Sequence, residues 1–357
     1  MTRASLRPFA LELTNPLDTA RGPIREREGF VVAVDAEASG SSAATGIGEA
    51  TPLPGWTESL SACKSALRDA GADETLASDP LVRLDSADAP AARHGLALAL
   101  TDAAARDAGR SLSAELAADR GLPSPSETVP VNATIGDADP DATAAAASRA
   151  VGEGFDCLKV KIGARSVDAD AARLRAVRDA VGDAVALRAD ANGAWDRRTA
   201  REALDRFAPL DLAYVEQPLP AADLDGAARL RADAPVPIAL DESLSDHGLD
   251  AVLDARAADA LVVKPMALGG PDRALSAALR ALAAGVDPVV TTTIDAVVAR
   301  TAAVHVAAAI PEVRPCGVAT GSLLEDDLAP DPCPVADGAV AVPSDPGLAG
   351  GAFDALR

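Results

Sequence analysis

The sequence predicts a two-domain α/β protein: an α+β domain over residues 1–125, then a (β/α) barrel over 126–324, with the tail 325–357 returning to the first domain. Three observations predict it. Near the start, strand-like runs come first and helical runs follow, which is how α+β domains read. After the linker "GLPSPSETVP", eight short apolar runs alternate with amphipathic stretches rich in Ala, Arg and Asp, the pattern of a barrel. Several of these runs end in charged residues that recur at nearly constant spacing.

In order, "PFALELTN" and "GFVVAVDAEA" read as strands separated by the polar segment "PLDTARGPIREREG". "GIGEATPLPGW" is a third short strand ending in a Pro/Gly turn. From Thr57 to Ala118 the pattern turns helical, as in "HGLALALTDAAARDAG". The barrel strands are "VPVNATI", "CLKVKIG", "VALRADANG", "LAYVEQP", "PIALDES", "ALVVKP", "PVVTTTID" and "CGVATGS", and the last lacks a full helix after it. The tail "VADGAVAVPSDPGLAG" reads as strand and turn. Two segments of the first domain, Asn15 to Glu28 and Thr51 to Glu58, are expected to close the mouth of the barrel.

Composition narrows the function. The chain has 357 residues, 48% hydrophobic and only 2% aromatic, so the core is built from Ala, Val, Leu and Ile. The net charge of −21 is dispersed along the chain. Phosphate-rich partners are repelled by such a surface, which argues against nucleic acid and anionic membranes as partners. High acid content, many alanines and few lysines suggest a protein of a high-salt cytoplasm. No apolar core of signal-peptide length follows Met1, and no run approaches a membrane span, so a cytoplasmic location is expected. Cys63, Cys157, Cys316 and Cys333 show no CxxC spacing and read as scattered free thiols. A homo-oligomer is compatible with the sequence.

The chemistry is carried by strand ends. The chain holds four lysines against twenty-nine arginines, yet two lysines, Lys159 and Lys161, stand two apart in one apolar run. In K-x-K both side chains share one face of a strand, here the barrel interior. Lys161, Asp190, Glu216, Asp241 and Lys264 follow at separations of 29, 26, 25 and 23 residues, about one βα unit each. Each thus falls at the C-terminal mouth of successive strands, where barrel active sites are assembled. Three carboxylates in one apolar mouth repel and do not all stay ionised unaided. A divalent cation resolves the repulsion, and all-oxygen ligation by Asp190, Glu216 and Asp241 points to Mg²⁺, with Mn²⁺ able to substitute. Lys161 and Lys264 flank that position from opposite sides. An ammonium group beside a metal ion is pushed toward its neutral form and becomes a base, a role arginine cannot fill. Singly, a K-x-K or a D-E-S is a solvated strand face or a cap; the ordered series is the signal. His94, His247 and His305 lie on no strand-end motif and read as structural or surface residues, and Lys64 as a surface lysine.

At these residues the chain resembles the enolase superfamily, in its muconate-lactonizing subgroup. The resemblance implies a (β/α)7β barrel with an α+β capping domain of enolase N-terminal type. It implies Lys161 as the proton-abstracting base supported by Lys159, Lys264 as the opposing lysine, and Mg²⁺ on Asp190, Glu216 and Asp241. Asn192, Glu242 and Asp295 stand behind these as supporting polar residues. Within the subgroup, "GEATPLPGWTES" and "VVTTTIDAVVAR" are most similar to the o-succinylbenzoate synthase family of menaquinone biosynthesis. That family places hydroxyl residues at the seventh strand to seat a substrate carboxylate, followed by an acid. Here Thr291, Thr292 and Thr293 take those places, with Asp295 after them where the family often has Ser and Glu. The implied reaction is syn-dehydration of a cyclohexadiene carboxylate. The alternatives are N-acylamino-acid racemization or dipeptide epimerization with the same lysine pair, and muconate cycloisomerization. An epimerase is expected to carry acids that read an α-ammonium group at the eighth strand. There "CGVATGSLLEDD" has no Asp-x-Asp before its turn, although Glu325, Asp326 and Asp327 follow.

Overall fold

A computed structural model describes residues 2–19, 22–36, 44–73, 75–76, 78, 80–86 and 88–357. The first sheet is antiparallel, β1 (Arg3–Thr19), β2 (Gly22–Ala36) and β3 (Ala44–Ala50) in that order. The polar segment expected to separate the first two strands is instead the far end of their hairpin. Pairing runs from Arg3 opposite Asp35 to Thr19 opposite Gly22, with one irregularity between Glu12 and Leu17. Ladder hydrogen bonds use only backbone, so exposed polar residues are accommodated in a two-stranded ribbon. Ala20 and Arg21, within the expected mouth-closing segment, lie outside the described residues.

The sheet packs on helix Pro90–Asp107, buried along most of its length. Glycines permit the contact: a Cβ on Gly48 would sit 1.9 Å from the carbonyl oxygen of Gly95, and one on Gly46 2.0 Å from that of Ala99. The same helix also meets the barrel: Arg93 donates to Gly269 O and to Asp272, and Ala92, Leu96 and Ala99 share one apolar cluster with Met266 and Ala299.

The expected first barrel strand divides. β4 (Thr128–Pro130) joins a small antiparallel sheet with β12 (Val335–Ala336) and β13 (Ala339–Ala341), and only β5 (Ala133–Ile135) enters the barrel. The barrel continues through β6 (Cys157–Lys161), β7 (Ala186–Asp190), β8 (Leu212–Glu216), β9 (Ile238–Leu240), β10 (Ala260–Val263) and β11 (Asp287–Val290), all parallel and in sequence order. The eighth run forms no strand of its own. It closes the ring by two bridges, Cys316 to Val131 and Gly317 to Thr291. Gly317 suits that place, because an added Cβ would lie 2.6 Å from Thr291 Oγ1. This is the (β/α)7β barrel with a capping sheet.

The outer faces of the strands bury Leu158, Val160, Leu187, Ala189, Val215 and Ile238 against Leu174, Val177, Leu204 and Phe207 of the surrounding helices. Several of those helices start at an acidic or hydroxyl cap whose side chain accepts from the first turn. Asp139 receives Ala142 N, Ser166 Ala169 N, Asp196 Thr199 N and Asp223 Gly226 N. Part of the acid excess thus satisfies helix N-termini. Beyond Leu324 the chain runs back to the first domain, where Leu112 N donates to Gly347 O and Leu348 N to Asp102 Oδ1.

Candidate active site

Strand register brings the charged residues together. Lys161 stands opposite Asp190, Asp190 opposite Glu216, and Glu216 opposite Ala239, two residues short of Asp241. The outward alternates Leu158 and Val160 are fully buried in the core, which turns Lys159 and Lys161 inward. Asp190, Glu216 and Asp241 are 1%, 1% and 4% exposed, so almost no solvent screens them.

Each lysine meets a carboxylate. Lys159 Nζ lies 3.1 and 3.2 Å from the two oxygens of Glu216 and 3.3 Å from Asp190 Oδ2. Lys161 Nζ donates to Asp190 Oδ2 at 2.6 Å and to Asn192 Oδ1 at 2.8 Å. Across the mouth, Lys264 Nζ donates to Asp241 Oδ2 at 2.6 Å. Asn192 passes the network on, its amide donating to Glu242 Oε1 at 3.0 Å. With the lysines drawn onto the acids, no three Asp, Glu, His or Cys side chains among the described residues are set to hold an ion.

The electrostatics follow from burial. Burial pushes Asp190 up, but Lys159 and Lys161 outweigh it and hold its carboxyl well below the usual range. Glu216 is pushed up to about 7 by burial and then by Asp190. Asp241 is pushed up to about 6 by burial, partly offset by Lys264. Burial disfavours the Lys159 ammonium, yet Glu216 and Asp190 hold it firmly charged. Two carboxylate oxygens at this mouth are buried without a hydrogen-bond partner, Asp241 Oδ1 and Glu242 Oε2. All-oxygen carboxylate chemistry, two carboxyls disfavoured as bare anions and an orphaned Asp241 oxygen suit a hard divalent cation.

Several positions were not singled out from the sequence. Gln217, fully buried and at φ 41°, accepts from the backbone N–H of both Asp241 and Ser243 and donates to Leu219 O and Ser243 Oγ. It fixes the start of the helix that carries Asp241 and Glu242. Its signal was its place directly after Glu216 in "VEQP". Trp56, inside the quoted capping-domain motif, lays its ring 3.2 Å under Lys264 Nζ. Arg27 reaches from β2 to Thr51 O, Pro52 O and Ile294 O, and so joins both expected mouth segments to the loop after β11.

That loop carries the expected substrate-binding threonines, and each hydroxyl is engaged within the protein. Thr291 Oγ1 donates to Gly317 O, Thr292 Oγ1 bonds Thr320 Oγ1 at 2.9 Å, and Thr293 Oγ1 donates to Asp295 Oδ1. Ile294 between them is held at φ 59°, a strained conformation for a β-branched residue. From β3, Glu49 accepts Ala296 N and Ala299 N and so caps the helix Val297–Ala308. Asp327 caps the same helix through Val297 N and pairs with Arg300, so it does not reach the mouth as a free acid. His94 and His305 are buried and bonded to the carbonyls of Glu49 and Leu348, and the exposed His247 to that of Ala221.

Residues 142–350 match the family model described as enolase C-terminal domain-like. The chain belongs to the enolase superfamily, in its mandelate-racemase/muconate-lactonizing subgroup. It is similar to the o-succinylbenzoate synthase of Thermobifida fusca, 43% identical over 226 residues, which covers 60% of this chain and 67% of the relative. It is also similar to the L-Ala-D/L-Glu epimerase of Bacillus subtilis, 30% identical over 352 residues, 95% of this chain and 93% of the relative. The substrate-liganded structure of that epimerase superposes with a TM-score of 0.85 over 97% of each chain, at 29% identity. A dipeptide epimerase from Methylococcus capsulatus, solved with Mg and the dipeptide L-Arg-D-Lys, superposes with a TM-score of 0.82 at 28% identity, over 97% of this chain and 98% of the other.

Proposed function

We propose that this superfamily member is a divalent-metal-dependent enzyme that moves the α-proton of a small carboxylate substrate, and that it racemizes N-acylamino acids. The observation that carries the reading is the pair Lys161 and Lys264, each on a carboxylate at opposite sides of one buried acidic row. A base on each face of an α-carbon is what 1,1-proton transfer requires: one lysine removes the proton and the other returns it to the opposite face. The whole-chain likeness to an epimerase supports it. So does the likeness to the N-succinyl-L-Arg/Lys racemase of Bacillus cereus, 33% identical over 183 residues.

Asp190, Glu216 and Asp241 would hold Mg²⁺, the metal of the Methylococcus relative, or Mn²⁺. When bound, the ion supplies positive charge beside the substrate carboxylate and so acidifies the α-proton. The chain's own residues do the rest. Lys161 and Lys264 accept and return the proton, Lys159 holds Glu216 in place, Asn192 orients Lys161, and Trp56 covers Lys264 from the capping domain. An acylated α-nitrogen suits the site better than a free ammonium, because Asp327 is spent on a helix N-terminus and on Arg300.

A second reading, o-succinylbenzoate synthesis, is favoured by the 43% identity to the Thermobifida synthase. In that dehydration Lys161 takes the α-proton and returns it to the departing hydroxyl as the C–O bond breaks, so that water leaves, and Lys264 stays a cation over the other face. One experiment separates the two. Purified enzyme with Mg²⁺ is given an N-succinylamino acid in deuterated water and, in parallel, the cyclohexadiene carboxylate. Racemization with α-deuteration faster than dehydration is expected. Dehydration alone overturns the racemase reading in favour of the synthase, and neither activity overturns both.

A further inference from the structure

We propose that the floor of the barrel, beneath the catalytic lysines, binds a small monovalent anion such as chloride between Arg188 and Asn132. Arg188 lies on β7 two residues below Asp190, opposite Lys159 on one neighbouring strand and Tyr214 on the other. It is 4% exposed. Its guanidinium is always protonated, so it is a buried positive charge. Its contacts are all neutral: Nη1 donates to Asn132 Oδ1 at 3.2 Å and to Pro315 O at 2.7 Å, and the group lies 4.9 Å over the ring of Tyr214. Among the described residues no carboxylate pairs with it, although the chain carries 54 of them. Cys157 and Cys316 lie near enough to feel its charge, but burial pushes both thiols up, Cys316 to about 12, so neither supplies a thiolate.

Two donors are left over. Arg188 Nε and Asn132 Nδ2 are both buried without a hydrogen-bond partner. The Asn132 amide cannot be turned to remedy this, because its oxygen is already committed to Arg188. Both unsatisfied groups are N–H donors, on two side chains that touch, beside an uncompensated cation. An unpaired charge or donor in such a place costs free energy unless something accepts from it. A water would satisfy donors but not the charge; a halide satisfies both. The floor also has small residues where other barrels have bulky ones: Ala239 and Ala260 line it with Tyr214 and Val289. Lys159 stands opposite Arg188 on the neighbouring strand, so two cations lie side by side at this height, and only Lys159 is paired with carboxylates.

The test uses bromide as the probe. Crystals of the whole chain grown in bromide should show an anomalous peak within hydrogen-bonding reach of Arg188 Nε and Asn132 Nδ2. In solution, the melting temperature at constant ionic strength should rise when gluconate is replaced by chloride, by about 2 °C per tenfold chloride above its Kd. Asn132→Asp places a carboxylate against Arg188 and should abolish both the peak and the chloride dependence. No bromide at that position, or equal melting in gluconate and chloride for the unaltered protein, overturns the proposal whether or not the variant folds. A chloride dependence that persists unchanged in a folded Asn132→Asp variant overturns it as well.

Discussion

Replacing Glu49 with Gln should change the pH dependence of stability without touching the buried acidic row of Asp190, Glu216 and Asp241. Glu49 is fully buried and joins the capping sheet to the barrel. Its two oxygens accept Ala296 N and Ala299 N, each at 2.8 Å, and it also accepts from Thr51 Oγ1. Burial, and then repulsion from Asp295, push its carboxyl up to about 7 from an ordinary 4.5. The native state therefore binds this proton more tightly than the unfolded chain does. Stability falls as pH rises from the unfolded value toward the folded one, and the loss is complete above about pH 7. Between about pH 5 and pH 8 that shift is worth about 2–3 kcal/mol, at roughly 1.4 kcal/mol per unit. Glu49→Gln removes the titration but points an amide N–H₂ at one of two backbone donors, costing about 1–3 kcal/mol at every pH. At pH 8 the relief and the loss nearly cancel; at pH 5 only the loss remains. The assay is urea unfolding of both proteins at pH 5 and pH 8 in the same salt. The variant's deficit should be larger at pH 5 by about 2–3 kcal/mol. An equal deficit at the two pH values refutes the reasoning, because Glu49 would then fold with its ordinary ionisation.

Other outcomes are expected from the site and the composition. Lys161→Arg and Lys264→Arg should each abolish racemization while still exchanging the α-proton of one enantiomer with solvent, opposite enantiomers in the two variants, as followed by proton NMR in deuterated water. Chelation should remove activity and Mg²⁺ or Mn²⁺ restore it, so full turnover by metal-stripped enzyme would contradict the assignment of Asp190, Glu216 and Asp241. Trp56→Ala should lower kcat/KM by about 5–30-fold, the equivalent of a 1–2 kcal/mol contact with Lys264, while circular dichroism stays native. With a net charge of −21, the melting temperature should climb between dilute buffer, where the Debye length is about 30 Å, and molar KCl, and a flat profile would count against self-repulsion as a major term.

The sequence by itself determined the barrel and its charged rim. Period-two alternation and βα-unit spacing are local properties, and they are enough to set Lys161, Asp190 and Glu216 at equivalent heights. Scarcity helped: in a chain with four lysines, a K-x-K stands out against an arginine-rich background. What only the tertiary structure decided were the pairings between segments distant in sequence. The hairpin that carries Arg27 looked like a polar loop, because pairing is written in backbone hydrogen bonds and leaves no mark on side-chain polarity. The eighth run has strand-like composition yet makes only bridges, since its neighbours rather than its letters set how far it pairs. The letters of the three threonines offer hydroxyls to a substrate, and the fold uses those hydroxyls on Gly317, Thr320 and Asp295. Lys264 under Trp56, Glu49 on a barrel helix and Arg188 against Asn132 join residues more than 50 positions apart. A composition or a period cannot encode such contacts, because they exist only once the capping sheet, the strands and the returning chain are packed in three dimensions.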